Sequence, residues 1–236
     1  MGSSTFTFKQ FEILQDACAM KVGTDGVLLG AWADINQAQH ILDIGTGTGL
    51  VALMLAQRSN ATITAIDIDE QACLQASQNV KNSAWHDRVF VQHTSLENFI
   101  STTSTMYDLI VSNPPYFINS MHAPNAQRTV ARHATDEFHQ QIIKAASVFL
   151  KPNAKLCVVL PFNLVEPFTL AGALYNLFCT HQIDVKTTPT KAPKRALLQF
   201  SKSQSAVIAS ELVIENARHE YSTEFKRLLH DFYLKL

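Results

Sequence analysis

His40-Ile41-Leu42-Asp43-Ile44-Gly45-Thr46-Gly47-Thr48-Gly49 decides the fold. The apolar, β-branched run reads as a buried strand, and the three spaced glycines read as a tight turn leaving it. Leu50 to Gln57 continues as a helix, apolar nearly all round and therefore buried. A strand, a glycine turn and a helix in that order form the opening of a nucleotide-binding unit, since the bare backbone can approach a ligand at the helix N-terminus. Thr62 to Ile66 reads as a second strand, and Asp67 at its end stands where a carboxylate grips ribose hydroxyls, about twenty residues past the glycines.

The same alternation continues on both sides. Asp69 caps a helix that runs to about Asn82. Val89 to Gln92 and Tyr107 to Ser112 read as the third and fourth strands. Asp136 to Leu150 reads as a helix stopped by Pro152, with a fifth strand over Lys155 to Leu160. Ile183 to Lys186 and Leu197 to Phe200 read as strands flanking a Pro/Lys-rich loop, and Ser222 to Tyr233 as a closing amphipathic helix. Strands that alternate with helices call for an α/β fold with a mostly parallel sheet, a late antiparallel strand and helices on both faces. With 236 residues, 47% of them hydrophobic, the chain is read as one domain. Residues 1–35 form an N-terminal extension over the cofactor site, and residues 36–236 form the Rossmann-like core.

Composition narrows the function classes. Charged residues make up 17% and the net charge is −1, which argues against a disordered or strongly acidic protein. No apolar run reaches the roughly 18 residues a membrane helix needs, and no secretion signal is evident, so a cytoplasmic location is expected. The four cysteines are widely spaced and read as reduced thiols, and no metal site is expected. Residues 1–150 hold 8 Lys and Arg against 13 Asp and Glu, a net of −5; residues 151–236 hold 11 against 7, a net of +4. The basic half could face a polyanion, although a solvated surface explains that balance equally well.

The ligand of the glycine loop is not a dinucleotide. The spacing is Gly-x-Gly-x-Gly, and Asp43 would place a carboxylate where a pyrophosphate would sit. A carboxylate there suits a nucleoside that carries an ammonium group. Strand four then ends in Ser112-Asn113-Pro114-Pro115-Tyr116, beside the glycine loop at the carboxyl edge of the sheet. Two prolines hold the backbone extended and leave its carbonyls free as acceptors. The Asn113 side-chain carbonyl and the Pro114 carbonyl can receive both hydrogens of an –NH₂ group. As that nitrogen attacks it becomes pyramidal, and the two acceptors favour this shape most in the transition state. Tyr116 offers a face on which a base can stack.

With these motifs the chain resembles the class I methyltransferases that act on amino nitrogens of adenine, guanine or glutamine. Within them it is most similar to the bacterial valine-tRNA (adenine-N6)-methyltransferases. The likeness rests on Phe8 to Phe11, Cys18 to Gly26, Leu28 to Trp32, the glycine loop and Ser112 to Tyr116, and more weakly on Arg128 to His133 and Arg195 to Phe200. It implies S-adenosyl-L-methionine as cofactor and tRNA as partner, with methylation of the adenosine 3′ to the anticodon by a monomer. It places Lys21, Thr24, Asp43, Gly45, Thr46, Gly47, Gly49, Asp67, Ile68, Leu96 and Asn113 at the cofactor, with the Phe6–Phe11 segment helping to wall the site. Such enzymes commonly carry an Asp after strand three that accepts a hydrogen bond from the cofactor's adenine. Here Ser95 stands in that place, a weaker acceptor.

Arg128 and Arg132, spaced four apart, could meet RNA phosphates from one helix face, and Lys191, Lys194 and Arg195 form a second basic rim. The alternatives are glutamine N5-methylation, which usually comes with a longer helical domain ahead of the first strand, and DNA adenine methylation, which needs a target-reading domain. A catalytically idle nucleoside- or RNA-binding module is a further alternative, but paired acceptors at Asn113 have no use in binding alone.

Overall fold

The computed structural model describes residues 4–18, 20–115 and 125–236, with the backbone alone for 125–135. The elements follow in chain order as β1 (Thr5–Thr7), β2 (Glu12–Leu14), α1 (Thr24–Trp32), β3 (His40–Ile44), α2 (Leu50–Arg58), β4 (Thr62–Asp67), α3 (Glu70–Lys81), β5 (Val89–His93), α4 (Leu96–Thr102), β6 (Tyr107–Ser112) and α5 (Asn125–Phe149). Then come β7 (Leu150–Pro161), α6 (Val165–Leu174), β8 (Phe178–Lys186), β9 (Arg195–Ser201), β10 (Ile208–Val213), β11 (Glu215–Ala217), β12 (Glu220–Tyr221) and α7 (Thr223–Leu229).

Successive residues of the central strands enter different layers, because side chains alternate across a pleated sheet. Ile41, Leu109, Val111 and Cys157 pack with Val27, Leu53 and Phe225 of α1, α2 and α7. Leu42, Ile110, Leu156 and Val158 pack with Phe99, Ile142 and Phe168 of α4, α5 and α6. Burial on both faces explains why these strands read as continuous apolar runs.

The main sheet has the order β10-β8-β9-β7-β6-β3-β4-β5. All neighbours are parallel except that β9 runs antiparallel to both β7 and β8, as the expected late antiparallel strand. The chain leaves β3 toward β4 and β5, then returns to place β6 on the other side of β3. That reversal opens a crevice beyond the ends of β3 and β6.

Several boundaries differ from the sequence reading. β7 starts at Leu150 and follows α5 directly, with Asn153 at φ +64° and a register shift against Tyr107–Leu109. Pro152 therefore lies within the strand's irregular start, where a missing N–H is tolerated. α5 extends back to Asn125, and the closing helix is only Thr223–Leu229, with Ser222 as its cap: its hydroxyl accepts from Phe225 N at 3.0 Å. The β1–β2 hairpin, α6 and edge strand β10 had no counterpart in the sequence reading. No helix among the described residues is long and apolar enough to cross a membrane.

Candidate active site

Register sets Ile44 of β3 opposite Ser112 of β6, and the Ser112 hydroxyl donates to the Ile44 carbonyl at 2.8 Å. Gly45 and Asn113 therefore leave neighbouring strands side by side, about 5 Å apart by the spacing of a sheet. The two halves of the site meet at this point.

In the glycine loop, Gly45, Gly47 and Gly49 take φ of +72°, +55° and +82°, which explains the residue type at each. A Cβ at Gly49 would also stand 3.4 Å from Ala76 Cβ. The backbone amides of Gly45 and Thr46 donate to Ile66 O at 2.9 and 3.0 Å, which fastens the loop to β4. Asp43 lies beneath it, 1% exposed, and accepts from the Thr46 hydroxyl at 2.7 Å. Burial pushes its carboxyl up to about 7; the Thr46 bond pulls the other way, the Asp67 charge adds to the rise, and the Ala52 amide opposes it.

Asp67 accepts from Gly47 N at 2.8 Å through Oδ2 and from Asp69 N at 3.0 Å through Oδ1. Each oxygen keeps a lone pair for a ligand hydroxyl. Ile68 is next, 72% exposed, a flat apolar neighbour to the carboxylate. Ser95 is the N-cap of α4 and accepts from Asn98 N at 3.1 Å, so its position is explained by helix capping. Leu96 opens that helix, and its amide is among those a helix leaves without an internal partner.

Asn113 is half-buried, Pro114 buried and Pro115 exposed. Asn113 Oδ1 is shielded from solvent and makes no hydrogen bond. Its Nδ2 lies 3.6 Å from where a Cβ of Gly26 would be, so the first turn of α1 stands directly against the amide. Tyr116 lies outside the described residues. Thr24 begins α1 and, like Lys21, is exposed.

The N-terminal extension divides. Residues near Cys18 do lie over the glycine loop, where Cys18 Sγ is 4.0 Å from the Cβ position of Gly47. The Phe6–Phe11 segment does not wall the site, which corrects that expectation. Phe8 stacks on Tyr233 at 5.9 Å and Phe11 meets Trp85 at 5.7 Å. The C-terminal tail there accepts a bond from Gln57, in the last turn of α2, whereas the glycine loop abuts the first turn. An apolar staple, formed by residues distant in sequence, holds these rings elsewhere.

Of the basic candidates, Lys191 and Lys194 are exposed in the connection between β8 and β9. β8 is parallel to β7, so this connection lies at the same edge of the sheet as Asn113. Arg195 instead donates from Nε to Asp25 Oδ2 at 2.9 Å and from Nη1 to Lys194 O at 3.0 Å. Arg128 and Arg132 lie about one turn apart in α5, and their side chains, like that of His133, lie outside the described residues. Sequence reasoning missed Asn79, which accepts from Leu14 N and donates to Leu14 O and Thr48 O at 2.9 to 3.0 Å, tying β2 and the glycine loop to α3. An amide on the buried stripe of α3, three residues past Ala76, was the available signal.

A mostly parallel sheet with β9 reversed, and a glycine crevice between β3 and β6, define the chain as a class I methyltransferase. A predicted O-methyltransferase from Agrobacterium tumefaciens shares the fold at TM-score 0.71 and 16% identity, covering 88% of this chain and 96% of its own. A ribosomal protein L11 methylase from Lactobacillus delbrueckii subsp. bulgaricus matches at TM-score 0.55 and 17% identity, covering 76% and 77%. In sequence, a tRNA1(Val) (adenine(37)-N6)-methyltransferase of Phocaeicola vulgatus is 46% identical over 236 residues, covering 100% of both chains. One of the same name from Haemophilus influenzae is 44% identical, covering 98% of this chain and 99% of its own. Residues 22–187 match the methyltransferase small domain, and the chain belongs to that family, within the group these tRNA1(Val) (adenine(37)-N6)-methyltransferases form.

Proposed function

We propose that the protein transfers a methyl group from S-adenosyl-L-methionine to N6 of adenine 37 in tRNA1(Val), acting in the cytoplasm. The observation that carries this reading is the buried, unpartnered Asn113 Oδ1 beside Pro114, an acceptor poised for an amino group. Together with the Pro114 carbonyl it receives the two N6 hydrogens and draws the lone pair out of the adenine ring. No strong base is required, because the methylated nitrogen sheds its proton readily to water. When bound, the cofactor supplies an electrophilic methyl group on a sulfonium.

The residues fit such a cofactor. The positive-φ glycines leave room for close approach, Asp67 receives the ribose hydroxyls, and Ile68 covers the adenine face. The backbone amide of Leu96 reads the adenine edge, with Ser95 kept as a weak second acceptor. Asp43 and Thr46, with Lys21 and Thr24 above them, meet the amino-acid end. Tyr116 stacks on the flipped base. Lys191 and Lys194, with Arg128 and Arg132 across the crevice, meet phosphates, and Arg195 supports the Lys194 rim from behind.

The test is incubation with unmodified tRNA1(Val) transcript and labelled cofactor, followed by nucleoside mass spectrometry. The expected product is N6-methyladenosine at position 37, lost in a transcript carrying guanosine there. Methylation of a protein glutamine with none of the RNA would overturn the reading.

A further inference from the structure

The Asp25–Arg195 ion pair joins residues 170 positions apart, at 2.9 Å, with the two side chains only 22% and 25% exposed. Its place in the fold is specific. Arg195 opens β9 and is held on both sides, paired with Pro161 of β7 and Val185 of β8. Its backbone is therefore among the best-fixed points at the carboxyl edge of the sheet. Asp25 lies in the first turn of α1, where the capping residue is Gly23 and no side-chain cap bond is made. An uncapped helix end frays unless something outside the helix holds it. The next residue, Gly26, is the one whose missing Cβ leaves 3.6 Å to Asn113 Nδ2 and 3.2 Å to Leu50 Cδ2. The first turn of α1 is thus both the wall against which the Asn113 amide rests and the segment the ion pair holds to the sheet.

We infer that Asp25 and Arg195 are positioning residues: their ion pair latches the first turn of α1 onto the sheet edge and so fixes the rotation of the Asn113 amide. The inference rests on the proposed role of Asn113. An amide free to rotate would present Oδ1 to the substrate part of the time and Nδ2 the rest, and a donor facing an –NH₂ group repels it. With α1 packed at Gly26, only the orientation that places Nδ2 toward the helix leaves Oδ1 as the free acceptor. The latch acts on the transition state through Asn113 and touches neither tRNA nor cofactor. It also gives Arg195 a different task from its neighbours Lys191 and Lys194.

The experiment measures single-turnover methyl transfer, KM for tRNA, cofactor Kd and thermal midpoint for Asp25→Asn, Arg195→Ala, their double variant and the exchange Asp25→Arg/Arg195→Asp. Each single change is expected to slow transfer about tenfold, with KM and Kd held within about threefold. The double variant should be no slower than the slower single, because one latch can be lost only once, and the exchange should recover most of the rate. Asn113→Ala serves as the reference. If it abolishes transfer while the latch variants turn over normally, the latch is wrong and the site stands. If Asn113→Ala itself keeps wild-type turnover, the reading of the site fails and the latch fails with it. Additive losses, or a rise in KM for tRNA confined to Arg195→Ala, would make Arg195 an RNA contact and overturn the inference. Lower thermal midpoints with unchanged rates would reduce the pair to a structural brace and overturn it equally.

Discussion

The two sides of the crevice differ in how they treat their polar groups. On the β3–β4 side nearly every one has a partner before any ligand arrives: Asp43 with Thr46, Asp67 with Gly47 and Asp69, and Asn79 with three backbone atoms. On the β6 side Asn113 Oδ1 is buried without one. A satisfied network holds its shape whatever is bound, and that suits a cofactor pocket refilled in every cycle. An unsatisfied buried carbonyl costs the free protein about 1–3 kcal/mol, a penalty lifted only when a donor enters. The protein keeps its stability on one side and its chemistry on the other.

The largest expected effect comes from breaking the reactive side. Asn113→Ala should lower turnover at least ~100-fold, by analogy with removal of a group that stabilises developing charge. Cofactor affinity should stay within a few-fold and the melting temperature should not fall, because the change removes an idle acceptor. A loss of several degrees would show that the amide is bonded in the free protein and would erase the contrast. Next is Asp67→Ala, which removes hydrogen bonds to an ionised acceptor. Such bonds contribute about 1.5–3 kcal/mol, so calorimetry should show cofactor binding weakened ~10- to 100-fold. An unchanged dissociation constant would take Asp67 out of the pocket.

The smallest effect tests how far the satisfied side is complete. Asp43 titrates at about 7 in the folded chain, against an ordinary 3.8. Since the folded value is the higher one, its contribution to stability is fully present below pH 4 and is lost as pH rises through 7. An ammonium brought beside it should ionise it. Cofactor binding at pH 6 should therefore release close to one proton, falling toward none by about pH 8.5. Calorimetry in buffers of different ionisation heat reads this directly, and Asp43→Asn should abolish the release. A pH-independent proton count would mean that the carboxyl never meets the cofactor.

What the sequence disclosed was local. The glycine loop, Asp67 and Asn113 lie at strand ends that short apolar runs announce, and their spacing is set by one strand and one turn. The features it concealed depend on chain separation or exposure. Arg195 looked like part of a basic rim because its partner is 170 residues away. β10 is an exposed edge whose first four residues bury little, so Ile208 to Glu211 carry no clear alternation. Ser95 looked like a substituted ligand and is also a helix cap, a role that its spacing to Asn98 could have suggested. The Phe6–Phe11 rings showed no partner in sequence because their partners lie at the far end of the chain.

That last pairing governs the order of assembly. Phe8 and Phe11 are among the first residues made, yet Tyr233 and the Phe232 carbonyl that accepts from Lys9 N are among the last. During synthesis the central sheet can form while the aromatic hairpin waits without its full cover. Closure across more than 220 residues is slow, because loop entropy must be overcome before the contacts repay it. For the length of translation the nascent chain therefore displays an aromatic segment of the kind that chaperones bind and that aggregates nucleate upon.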